Sequence, residues 1–72
     1  MKDWDVDFSA RFEDGRIREG NRRVQAENIA EALGMAERLM ADIRAEFPVI
    51  KETVIWDVGI ITSEEDRPEE VF

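Results

Sequence analysis

Asp3, Asp5 and Asp7 stand at every second position near the start of the chain. Three carboxylates so spaced can hold a cation, share a proton, or present a row of negative charge. A calcium loop opening on this D-x-D-x-D pattern requires glycine at its sixth position and glutamate at its twelfth. Here those positions are Phe8 and Asp14. Instead, Trp4, Val6, Phe8, Ala10 and Phe12 alternate with Asp3, Asp5, Asp7, Ser9 and Arg11, a period of two that specifies a strand with one buried and one wet face. Carboxylates two residues apart on a strand are about 7 Å apart, too far to chelate one ion, so no metal is expected. That spacing is close to the phosphate repeat along a single nucleic-acid strand. A row of this kind, joined by Asp57 from a later strand, fits the arginine-lined groove of a nucleic-acid-binding protein. A face made merely soluble by its charges gives the same pattern.

Covalent catalysis has no parts to draw on. The chain contains no cysteine, histidine or tyrosine, and neither Ser9 nor Ser63 has a general base that spacing identifies. No glycine-rich loop precedes a helix, which removes a phosphate cradle. A carboxylate-only enzyme is the one catalytic option left, and a sheet with a single helix offers it little pocket. The expectation is a non-enzyme with no catalytic residues and no cofactor.

Composition bounds the rest. A chain of 72 residues makes one domain that buries about 60% of its unfolded surface, so its stability margin is thin. Disulfides and the commonest zinc ligands are absent, leaving self-association or docking on a partner as the staple small scaffolds need. The formal net charge is −8, from 18 acidic and 10 basic residues. That balance repels DNA and anionic membranes and favours basic partners, although charges of about 2–8 also serve plain solubility. No apolar run approaches the ~20 residues that span a bilayer, and the start Met1-Lys2-Asp3-Trp4-Asp5 is unlike a signal peptide. The expected setting is the cytoplasm.

The elements that position these residues follow from periodicity. Asp14-Gly15 supplies a turn after the first strand. The return arm is expected to be irregular, with Glu19-Gly20-Asn21 as a bend or bulge and pairing resumed over 22–26, Val24 and Ala26 facing inward. Asn28 with Glu31 has capping-box spacing. Beyond it Ile29, Leu33, Ala36, Met40, Ile43 and Phe47, widened by Ala32 and Leu39, form the apolar stripe of a helix ended by Phe47-Pro48. A third strand is expected from about 53 to 62, with Val54, Trp56, Val58 and Ile60 on one face and Ile55, Asp57, Gly59 and Ile61 on the other. Connection rules then give an α+β domain over 1–62, β-β-α-β, with an antiparallel sheet of order 2-1-3 and the helix on one face. Residues 63–72, acidic and broken by Pro68, are read as a disordered tail.

Two surfaces call for cover. Ile55 and Ile61 are expected beside the aspartates on the open sheet face, where exposed β-branched residues invite packing. Ala30, Gly34, Ala41 and Ala45 fall along one helix flank, and small residues permit close helix approach; Gly34 costs about 1 kcal/mol relative to alanine. Charge is also uneven. Arg11, Arg16, Arg18, Arg22 and Arg23 concentrate in the hairpin, while Glu64, Glu65, Asp66, Glu69 and Glu70 fill the tail.

The segment Asn21-Arg-Arg-Val-Gln-Ala-Glu-Asn-Ile-Ala-Glu-Ala-Leu33, a strand entering a capped helix, resembles small acidic α/β proteins of phages and mobile elements, anti-CRISPR inhibitors among them. It is also similar to the strand-to-helix step of HicB-type antitoxins. The likeness covers mainly residues 21–43, and no functional residue is carried over from it. It implies an inhibitor that works by binding. The function expected is a protein-binding module that sets its acidic sheet face, Asp3, Asp5, Asp7 and Asp57 with Ile55 and Ile61, against a basic partner. The alternative is a homo-oligomer, a dimer in its simplest form, that buries this face or the helix flank against itself. Direct nucleic-acid or membrane binding is not expected.

Overall fold

The computed structural model describes residues 1–62; the acidic tail expected to be disordered lies outside the described residues. Four elements follow in order: β1 Lys2–Phe12, β2 Ile17–Ala26, α1 Ile29–Glu46 and β3 Ile50–Ile60. β1 lies between β2 and β3 and is antiparallel to both, giving the order β2-β1-β3. The fold is the α+β arrangement that the hydropathy pattern specifies, with the strongest alternating strand at its centre.

The hairpin turns at Gly15, whose φ of 88° is a conformation glycine adopts without steric penalty. Asp14 fixes the turn by accepting the Arg16 amide on its Oδ1 at 3.0 Å. The return arm is more regular than expected. β2 pairs with β1 without interruption from Ile17↔Arg11 to Ala26↔Lys2, and Gly20 takes an ordinary ladder position opposite Phe8. A glycine reads locally as a bend, but ten consecutive pairings with the central strand hold it extended.

The capping box forms as spelled. Asn28 stays extended while its Oδ1 accepts the Glu31 amide at 2.9 Å, which satisfies one of the helix's orphan donors. Asn28→Ala should therefore lower stability by about 1 kcal/mol in urea melts, with the slope of the transition unchanged. The helix stops at Phe47, whose amide bonds Ile43 O, and the Ile50 amide closes a turn onto Phe47 O before β3 begins.

The core lies between the helix and one sheet face, in two connected parts. Trp4, Val6, Val24, Ala26, Ala32 and Ala36 fill one end, and Phe8, Ala10, Met40, Ile43 and Ile50 the other. Leu39 and Ile55 pack against both. Ala10, Ala26, Ala32 and Ala36 are wholly buried; their small side chains let the helix backbone lie close to the sheet. The helix is consequently turned relative to the expected stripe. Ala32, Ala36, Met40 and Ile43 are buried, whereas Ile29, Leu33 and Phe47 are exposed. Trp4 is buried with its indole N–H donating to Ala26 O at 3.0 Å, so the polar tip of the ring is satisfied.

β3 departs most from expectation. It begins at Ile50, earlier than the pattern suggested, and its pairing with β1 slips twice: Asp7↔Asp57 is followed by Phe8↔Ile55, and Arg11↔Glu52 by Phe12↔Ile50. Trp56 and Lys51 are the extra residues. Each such bulge reverses the parity of the residues beyond it.

Candidate functional site

The helix leaves the second sheet face uncovered. Side chains directly opposite in an antiparallel ladder share a face, so the register assigns this one. β1 contributes Asp3, Asp5, Asp7, Ser9 and Arg11, and β2 contributes Gln25, Arg23, Asn21, Glu19 and Ile17. From β3 come Gly59, Asp57, Val54 and Glu52. The expected juxtaposition of Asp57 with the aspartates of β1 is present, with Asp57 directly opposite Asp7. Ile61 continues the ladder, its amide donating to Asp3 O at 2.9 Å, and it is half-buried at the edge of this face.

Ile55 is a correction. It faces the helix, half-buried against both halves of the core, because the bulge at Trp56 shifts the parity of the strand before it. The same shift brings out side chains assigned to the core by alternation. Val54 is 50% exposed and Trp56 57%; across the sheet on β2, Ile17, whose pairing with Arg11 involves no slip, is 66% exposed on the same face. The sequence carries one signal of this: Val54-Ile55-Trp56 is a run of three apolar residues that no single alternation accommodates. The pairing partner that decides where the strand slips lies more than forty positions away.

The open face is thus divided along the strand direction. At one end, Asp3, Asp5, Asp7 and Asp57 gather with Arg23 opposite Asp5. Gln25 donates to Asp3 Oδ1 at 3.2 Å. At the other end, Ile17 and Val54 flank a shallow groove floored by Ser9 and Arg11, where Arg11 is held to Glu52 at 2.9 Å. Between the two ends a depression of about 270 Å³ is lined by Trp56, Asp7, Glu19, Gly20 and Asn21.

Asp5 bears the cost of this crowding. Burial, then its side-chain hydrogen bond with Asp7, then the charges of Asp7 and Asp57, push its carboxyl up from 3.8 to about 6. Like charges directly opposite across strands, as at Asp7 and Asp57, destabilise a sheet. Among the described residues no three acidic side chains converge to hold a metal ion.

The arginine-rich hairpin does not act as one patch. Arg11 and Arg23 lie on the open face, Arg18 and Arg22 pair with Ala10 and Val6 and so lie on the helix side, and Arg16 bonds Asp14 at 3.3 Å in the turn. On the helix, Ala30, Gly34, Ala41 and Ala45 are all exposed. A Cβ added at Gly34 would meet no atom within 4 Å, so packing within the domain does not require glycine there. No described helix is long and apolar enough to cross a membrane.

No protein-family model, curated protein or solved structure matches this chain.

Proposed function

We propose that this chain is a non-catalytic module that binds, and thereby inhibits or regulates, a basic protein, presenting its open sheet face in the cytoplasm. The observation that carries the reading is the crowding at Asp5. A carboxylate half-buried beside Asp7, which itself stands opposite Asp57, weakens the free domain, and charge added only for solubility belongs where it costs nothing. Set against arginine or lysine, the same row becomes favourable. A partner whose own ligand is nucleic acid suits the spacing of the row. Catalysis has little to draw on, since the sequence contains no cysteine, histidine or tyrosine and the depressions lie open to solvent.

A second reading, self-association through the same face, is favoured by the exposure of Ile17, Val54 and Trp56. Charge opposes it. Asp3, Asp5, Asp7, Asp57 and Glu19 outnumber Arg23 once Arg11 and Glu52 are paired, so two copies face to face either oppose acid to acid or bury acid on apolar surface.

The test is the triple variant Asp3→Asn, Asp5→Asn, Asp7→Asn in a binding assay against arginine-rich protein domains. Affinity should fall by about tenfold or more, and wild-type affinity should drop steeply between low and moderate salt. Equal affinity of variant and wild type would remove the acidic face from the function.

A further inference from the structure

The division of the open face says more about the partner than its charge. Trp56 is 57% exposed at the boundary between the acidic and apolar ends, and its indole shares a depression with Asp7, Glu19, Gly20 and Asn21. We propose that this depression seats an arginine side chain of the partner protein, whose neighbouring apolar residues lie on Ile17 and Val54. The inference rests on the protein-binding reading above and names the chemistry the partner must bring to it.

A tryptophan left half in water on a face crowded with carboxylates is poorly served by either neighbour. A guanidinium satisfies both at once. Its flat face stacks on the indole while its N–H fork donates in plane to carboxylate oxygens. Asp7 and Glu19 stand on adjacent strands of the open face and line the same depression, so the acceptors and the ring are presented together. Lysine offers a compact point charge that can approach the ring or a carboxylate, but has no planar group for both. The apolar end explains why charge alone is insufficient. Ile17 and Val54 sit 66% and 50% exposed beside the Arg11–Glu52 pair, where the partner gains by burying apolar surface. A second copy of this chain brings Arg23 to this face together with Asp3, Asp5, Asp7, Asp57 and Glu19, so its net charge there has the wrong sign.

Three peptides test the seat: Arg-Leu-Ser repeats, the same with lysine, and the same with uncharged citrulline. Each is titrated into the full chain while the two indole N–H signals are followed by NMR. Trp4 is the internal reference, because its N–H is held on Ala26 O in the core. The arginine peptide should shift the Trp56 signal and leave Trp4 in place, bind several-fold more tightly than the lysine peptide, and far exceed the citrulline one. Trp56→Leu should weaken the arginine peptide by about tenfold and erase its advantage over lysine. Glu19→Gln should weaken it while keeping the indole contact, which guards against a folding defect in the first variant. If Trp56→Leu retains the arginine preference while the triple aspartate variant loses binding, the seat is wrong and the acidic face stands. If neither variant changes binding, both fall. A salt-resistant dimer with the Trp56 signal already protected would overturn the seat in favour of a second copy.

Discussion

Phe8→Ala should leave the chain unfolded at 25 °C. Phe8 is the largest side chain removed completely from solvent, and it sits on the central strand with Ala10, Met40, Ile43 and Ile50 around it. Truncating such a phenylalanine costs about 3–5 kcal/mol through lost burial and the cavity left behind. A single core in a domain of this length supplies a total stability of only about 3–5 kcal/mol. Collapse around the cavity is limited, since Ala10 cannot reach inward and Met40, Ile43 and Ile50 are already buried in the packed core. The check is a thermal melt with an amide NMR spectrum: the cooperative transition and the spread of amide shifts should both disappear. Val54→Ala makes the contrast, because Val54 is half exposed on the open face and its loss should change stability by no more than about 0.5 kcal/mol. A sharp Phe8→Ala transition close to that of wild type would place the core elsewhere.

The second large effect is the pH dependence set by Asp5. Its folded value is about 6 against an ordinary 3.8. Between those values the folded chain keeps a proton that the unfolded chain has released. Stability from this group is therefore greatest below about pH 4, falls as pH rises to about 6, and stays at the lower level beyond. The side chain is only partly buried, so the cost at pH 7, discounted for solvent screening, is about 1 kcal/mol. Asp5→Asn removes the charge and should raise the melting temperature at pH 7 by about 4–8 °C. It should also flatten the difference between pH 4 and pH 6. Melts of both proteins across that range isolate the group, since every other carboxylate is common to the two. Parallel curves would mean that Asp5 titrates as an ordinary aspartate. The triple aspartate variant should by the same reasoning fold at least as well as wild type, so a loss of binding in it reports on the face and not on the fold. A basic partner covering Asp5 favours its ionised form, which makes binding release a proton and strengthen as pH rises through 6.

The local elements of this protein were legible in its residues. Ten positions of strict alternation from Asp3 to Phe12 define a central strand and place three aspartates on one face. Asp14-Gly15 turns, Asn28 caps, and Phe47-Pro48 ends the helix, each by short-range sterics or hydrogen bonding that no distant residue needs to approve. With two strands joined by a hairpin and a third reached through a helix, the order β2-β1-β3 follows from connection rules.

What tertiary structure decided is parity and rotation. Whether Ile55 or Trp56 enters the core depends on where β3 slips against β1, and a one-residue slip exchanges the faces of everything beyond it. That choice set Ile55 inside, against both halves of the core, and Trp56 outside beside Asp7. The rotation of α1 was likewise hidden. Hydrophobicity favours burying Ile29 and Leu33, but wholly buried Ala32 and Ala36 allow the helix to approach the sheet more closely, and close packing over its length outweighs covering two larger side chains at one end. The strained carboxyl of Asp5 belongs to the same level. Burial comes first among its causes, and its neighbours Asp7 and Asp57 come from two strands that only the folded sheet brings together.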